Sequence, residues 1–236
     1  MRVGLFDSGI GGLTVLKTLL NKYPNNEYIY YGDTLNIPYG DKSRDELVEL
    51  ARENVKFLIS KKVDLIIVAC GTVSSNCMDI IKKESDIPIY SILEPTINYL
   101  NQSDYKNILV IATHATITSH MFKNKVKKNI YELETPKLVP IIESNNYDNL
   151  EEILHIYLDE YKNRVDAIVL GCTHYPIIKD DIKKVIDIDL LDMSDFIQIS
   201  NRGKQHLEIY FSKIDDTIIS NTKKILGSNN VDIKLK

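Results

Sequence analysis

Two eight-residue runs, VDLIIVAC at 63–70 and VDAIVLGC at 165–172, align without a gap and share Val, Asp, Ile and Cys at four positions. Each run is apolar almost throughout. That is the composition of a strand buried on both faces, which occurs in parallel sheets covered by helices. Apolar matches between two buried strands mean little. A cysteine at the same strand end in both is harder to dismiss and suggests two related halves, each offering a thiol from the carboxyl edge of its sheet.

The rest of the chain alternates in the same way. RVGLFD, EYIYYGD, IPIYSIL, NILVIAT, KLVPII and IDLLDM read as strands. HLEIYFS reads as an edge strand, and helical spacing covers GGLTVLKTLLNKY, a stretch from Cys70 to Glu84, about 95–100, 116–127, 150–161, a stretch after Cys172 to about Ile186, and 216–226. Ser43 and Glu46 give the S-x-x-E start signal of a further helix. Strand-helix alternation predicts an α/β fold with mostly parallel sheets, whose functional residues collect at the carboxyl ends of strands. With 236 residues there is room for one large or two small domains, and the crossover near Leu93 to Pro95 is a joint if there are two.

A net charge of −4 gives no electrostatic reason to expect nucleic acid. The basic cluster KNKVKK (123–128) is local and reads as a solvated helix end. No apolar run is long enough for a membrane span, and MRVGLFDSG reads as a strand and turn rather than a signal peptide. Three cysteines do not make a disulfide framework, so a reducing, cytoplasmic compartment is expected.

The chemistry concentrates at the two strand ends. Cys70 precedes Gly71-Thr72 and Cys172 precedes Thr173-His174, each at the predicted start of a helix. Free N–H groups there favour an anion, either a thiolate or a substrate carboxylate, and lower a thiol pKa from about 8.5. His174 is close enough to move a proton to or from Cys172. Cysteine is also a good buried small residue, and Cys77, inside a predicted helix, reads as core filler. Asp7-Ser8 precede the turn SGIGG, which lacks the lysine and spacing of a phosphate loop and better suits a small anion or an amino acid; Asp7 alone could be a turn residue. A cysteine hydrolase built on Cys172 and His174 leaves Cys70 unexplained. A zinc site lacks any C-x-x-C, and a binding protein without activity gives no reason for two matched thiols.

Taken together, GLFDSGIGGLTVL, YYGDTLNIPYG, VACGTVSS, VPIIES and GCTHYPII resemble bacterial glutamate racemase, of the cofactor-independent aspartate/glutamate racemase superfamily, in order and spacing over nearly the whole chain. The resemblance implies two α/β domains related by a pseudo-twofold, here 1–94 plus 205–236 and 95–204, with the active site between them. It implies no cofactor, no metal, glutamate as substrate, a homodimer, and a role in supplying D-glutamate for peptidoglycan. It makes Cys70 the base toward D-glutamate and Cys172 the base toward L-glutamate, with Asp7, His174 and Glu143 assisting. Ser8, Thr72, Thr113, Thr116 and Thr173 match positions that hold the substrate's α-amino and carboxylate groups, and Pro38, Tyr39 and Gly40 match a loop that closes over it. The sequence departs from the resemblance at Gly71, where many glutamate racemases have a substrate-holding asparagine; glycine keeps the backbone N–H and loses the amide. An aspartate or broad-specificity amino-acid racemase on the same fold stays open, since the two substrates differ by one methylene.

Overall fold

The computed structural model describes residues 1–229 and 231–236. The first half of the chain runs β1 (Arg2–Asp7), α1 (Gly12–Lys22), β2 (Glu27–Gly32), α2 (Arg44–Ser60), β3 (Leu65–Val68), α3 (Gly71–Asn76), α4 (Met78–Ile81) and β4 (Ile89–Ser91). Helix α5 (Leu93–Gln102) then leads into β5 (Asn107–Ala112), α6 (His114–Thr118), α7 (Met121–Lys125), β6 (Asn129–Glu134), α8 (Leu138–Ser144), α9 (Leu150–Leu158), β7 (Ala167–Leu170), α10 (Lys179–Val185) and β8 (Asp189–Asp192). The chain returns through β9 (His206–Phe211), α11 (Asp216–Leu226) and β10 (Ile233–Leu235).

The strands form two sheets, ordered β10-β9-β2-β1-β3-β4 and β6-β5-β7-β8, and every pairing is parallel. The order β2-β1-β3-β4 repeats as β6-β5-β7-β8. The matched runs of the sequence thus become β3 and β7, each lying beside the first strand of its half. Parallel strands need helical crossovers, and these helices bury both faces of β1, β3, β5 and β7. One core cluster lies between the sheets and draws on both, with Val3, Leu5 and Ile67 meeting Val110 and Val169 through Leu13, Leu16 and Ile97. The outer faces are closed separately, by α2 against Phe6 and Val68, and by α8, α9 and α10 against Ile111 and Leu170.

Several sequence expectations hold in detail. Ser43 and Glu46 form a reciprocal capping box at the start of α2, and the last helix, α11, covers 216–226 as read. The lysines of 123–128 sit in and just beyond the last turn of α7.

Others are corrected. KLVPII is not a strand: 138–144 is helix α8, and the strand is the preceding NIYELE, β6. β6 is an edge strand of half-buried residues, so its apolar signal is weak, whereas α8 carries a stronger one from packing on the sheet. HLEIYFS is not at the edge, because the short β10 pairs outside it. The long helices expected over 70–84 and 116–127 are each broken, the first at Cys77 and the second at His120, which takes φ +50°. A 3-10 turn, Tyr175–Ile178, precedes α10.

Candidate active site

The ends of five strands, β1, β2, β3, β5 and β7, converge on one cavity of about 320 Å³. From the six-stranded half come Ser8 after β1, the loop Pro38-Tyr39-Gly40 after β2, and Cys70, Gly71 and Thr72 after β3. From the four-stranded half come Thr113 after β5, Glu143 from α8, and Cys172, Thr173 and His174 after β7. The segments join because parallel strands all end at the same edge of their sheet, and the two edges face each other. Asp7 and Thr116, expected in the same site, stand just behind its wall and reach it through hydrogen bonds.

The three cysteines are free and buried, and only Cys70 and Cys172 reach the cavity. Cys77 is fully buried at the joint between α3 and α4, as core filler. Cys70 Sγ donates to Ser8 Oγ at 3.8 Å. Cys172 Sγ lies 3.6 Å from His174 Nδ1, and His174 Nε2 lies 3.0 Å from Glu143 Oε1. Asp7 is both a turn residue and more: Oδ2 accepts from the Gly9 and Gly12 N–H groups at 3.2 and 2.9 Å, and Oδ1 accepts from Thr173 Oγ1 at 3.3 Å. Across the mouth, Thr113 Oγ1 lies 3.0 Å from Thr72 Oγ1 and 3.1 Å from Thr116 Oγ1. This hydroxyl chain joins the two halves.

Residues 27–196 match the model of the Asp/Glu/hydantoin racemase family. The chain belongs to this family. It is 35% identical to the glutamate racemase of Aquifex pyrophilus, over 96% of this chain and 94% of that one. It is 42% identical to the glutamate racemase of Fusobacterium nucleatum, over 87% of this chain and 81% of that one. A crystal structure of glutamate racemase from Francisella tularensis in complex with D-glutamate matches with a TM-score of 0.87 at 30% identity, covering 100% of this chain and 96% of that one.

In this racemase-family cavity the two thiols have different neighbours, Ser8 beside Cys70 and His174 beside Cys172. The expected helix N-terminus is present after Cys70, and the Val73 N–H there pulls the thiol down, yet the thiol is pushed up to about 12. Burial is the main cause and the nearby Asp7 carboxylate the next. The expectation of a lowered pKa is therefore overturned at Cys70: a short helix start does not offset full desolvation beside an anion. His174 is held protonated well above its ordinary range. Burial opposes this, but the hydrogen bonds to Cys172 and Glu143 outweigh it.

The loop over the site is fixed from beneath. Tyr39 donates to Asp33 Oδ2 at 2.6 Å and accepts from Asn54 Nδ2 at 3.2 Å, and Asn36 also bonds Asp33. Burial and the Asp33 carboxylate push the Tyr39 phenol far up, so it stays a donor. Sequence reasoning gave no role to Asp33, although it lies in the motif YYGDTLNIPYG, or to Asn54, which lies in no motif. It also missed His114, which lines the cavity and pairs with Glu134 at 2.9 Å; its place directly after Thr113 at the end of β5 was the available signal. The lining contains no lysine or arginine, so an anionic ligand meets hydroxyls, N–H groups and the two histidines.

Proposed function

We propose that this protein is a glutamate racemase that interconverts L- and D-glutamate by proton transfer between two cysteines, without a cofactor, and supplies D-glutamate for peptidoglycan. The observation that carries the reading is the pair Cys70 and Cys172, free thiols at the ends of equivalent strands that line one cavity. Inverting a carbon centre needs a base on one face and an acid on the other, and two matched thiols supply both. A single-nucleophile hydrolase leaves Cys70 idle. The glutamate racemases similar to this chain, one of them with D-glutamate bound, support the substrate.

In the step, one thiolate takes the α-proton and the opposite thiol returns one to the other face. The site starts unsymmetrically. Cys70 holds its proton, and on the other side His174, held protonated, lies 3.6 Å from Cys172 Sγ. Cys172 as the base toward L-glutamate, with Cys70 as the acid opposite, fits these neighbours. Asp7 adds to the burial that keeps Cys70 protonated, and it orients Thr173. The hydroxyls of Ser8, Thr72, Thr113 and Thr173 and the N–H groups after each cysteine hold the amino acid and take up the charge that develops on it; Thr116 orients Thr113. Pro38, Tyr39 and Gly40 close over the substrate. The two halves, 1–94 with 205–236 and 95–204, act as separate domains around the cleft, and the protein works in the cytoplasm as a homodimer. Among the described residues no helix is long and apolar enough to cross a membrane.

Proton NMR in D2O tests the reading. Purified protein without added cofactor is expected to exchange the α-proton of L- and D-glutamate and to produce the opposite enantiomer. Cys70→Ser and Cys172→Ser are each expected to abolish racemisation. Turnover of aspartate with none of glutamate would overturn the substrate; full activity in either serine variant would overturn the two-thiol route.

A further inference from the structure

Pro176 closes the motif GCTHYP and interrupts the hydrogen bonding of the segment that carries Cys172 and His174. Two short bonds wind this segment into its turn: the Tyr175 N–H donates to Cys172 O at 3.1 Å, and the Ile177 N–H donates to His174 O at 3.0 Å. The carbonyl between them, Thr173 O, would take the N–H of residue 176, and proline has none. A buried carbonyl needs a donor.

The donor comes from the other half of the protein. Thr14 Oγ1, buried in the first turn of α1, lies 3.0 Å from Thr173 O and 2.9 Å from Gly11 O. A threonine hydroxyl in a helix can bond the carbonyl one turn back. Gly11 O, however, already accepts the Thr14 N–H at 3.0 Å, whereas the turn itself offers Thr173 O no N–H. The hydroxyl proton therefore serves Thr173 O. Two further contacts come from the same corner between β1 and α1. Asp7 Oδ1 accepts from Thr173 Oγ1 at 3.3 Å, and a methyl on Gly11 would lie 2.5 Å from His174 Nδ1, the atom that faces Cys172 Sγ. The corner thus supports residues 173 and 174 at a carbonyl, a hydroxyl and a ring edge.

We propose that Thr14 is a positioning residue for Cys172 and His174: by holding the carbonyl that Pro176 leaves without a donor, it fixes the peptide that joins Thr173 to His174 and so keeps the imidazole against the sulfur. The inference rests on the two-thiol reading above. One half of the protein thereby sets proton transfer at the thiol that the other half carries.

Thr14→Val keeps the shape and removes the hydroxyl; Thr14→Ser keeps the hydroxyl. Thr14→Val is expected to lower kcat for racemisation by about 10- to 100-fold, the range of a misplacement approaching 1 Å, and Thr14→Ser by less than about threefold. Primary deuterium isotope effects on kcat/KM, measured with 2-deuterated L- and D-glutamate, show where the loss falls. In Thr14→Val the effect should grow with L-glutamate, whose α-proton goes to Cys172. It should shrink with D-glutamate, whose α-proton goes to Cys70, because the slow step then follows that transfer. Molecules that fail to fold contribute to neither, so the ratio of the two effects reads the folded enzyme alone. In a Pro176→Ala background residue 176 brings its own N–H, and adding Thr14→Val should then change kcat by less than about threefold. An unchanged kcat or isotope-effect ratio in Thr14→Val, a full loss in Thr14→Ser, or an undiminished loss in the Pro176→Ala background would overturn the assignment. These outcomes are read in a protein that racemises glutamate and stops doing so as Cys172→Ser; failure of either behaviour sinks the two-thiol reading instead.

Discussion

Glu143 Oε1 lies 3.0 Å from His174 Nε2, on the side of the ring away from Cys172. The carboxylate thus acts on a thiol it does not touch: it helps hold His174 protonated, and His174 faces the sulfur. Glu143→Gln keeps the shape and removes the charge. We expect kcat to fall by about 10- to 100-fold with a smaller change in KM, within the range for general acid–base groups. The folded-state pKa of His174 is raised, so its proton is lost only as pH rises through that raised value. Weakening the cause lowers the value, and the alkaline limb of the kcat profile should move to lower pH. A profile unmoved by the substitution would remove Glu143 from this role.

The three thiols should differ in reactivity. Cys70 and Cys77 are both pushed up to about 12, chiefly by burial. At neutral pH iodoacetamide is expected to modify Cys172 first, as read by peptide mass spectrometry, and D-glutamate should slow that modification. His174→Asn should erase the lead of Cys172. Modification of Cys70 ahead of Cys172 would show that His174 does not activate the sulfur it faces.

Tyr39 is tied to Asp33 and Asn54, so the loop over the cavity depends on a buried phenol. Tyr39→Phe leaves Asp33 with one partner fewer, at a cost of about 1–2 kcal/mol in stability. Because the loop is loosened and the thiols are untouched, KM for glutamate should rise several-fold while kcat changes little. A loss confined to kcat would place the phenol in the chemistry instead.

Buried protonated thiols also set an alkaline limit on stability. Below the ordinary thiol range the folded and unfolded chains hold the same protons. As pH rises past about 8.5 the unfolded chain releases them first, so unfolding becomes easier until the folded thiols ionise. The melting temperature should therefore fall between about pH 8 and pH 10, in the window opened by the raised values of Cys70 and Cys77. Cys77→Ala should melt lower at neutral pH, from the cavity it leaves, but with a shallower decline. An unchanged slope would show that Cys77 does not titrate in this way.

The residue pattern was enough for the elements whose cause is local. Buried parallel strands announce themselves as apolar runs, so β3 and β7 were legible with the cysteines at their ends, and so was the capping box of α2. It did not reveal β6 and β10, since edge strands are half exposed and carry little apolar pattern. Nor did it reveal the breaks at Cys77 and His120, where packing overrides a continuous helical period. The tertiary structure alone decided what the candidate site is made of between residues far apart in the chain. The pairing of Thr72 with Thr113, the reach of Asp7 to Thr173 and the backing of Tyr39 by Asp33 and Asn54 depend on how two sheet edges meet. The proton on Cys70 is of the same kind. Its sequence neighbours predict an acidic thiol, but the burial and the Asp7 charge that overrule them arrive only when β1 and β3 pair and the second half closes over them.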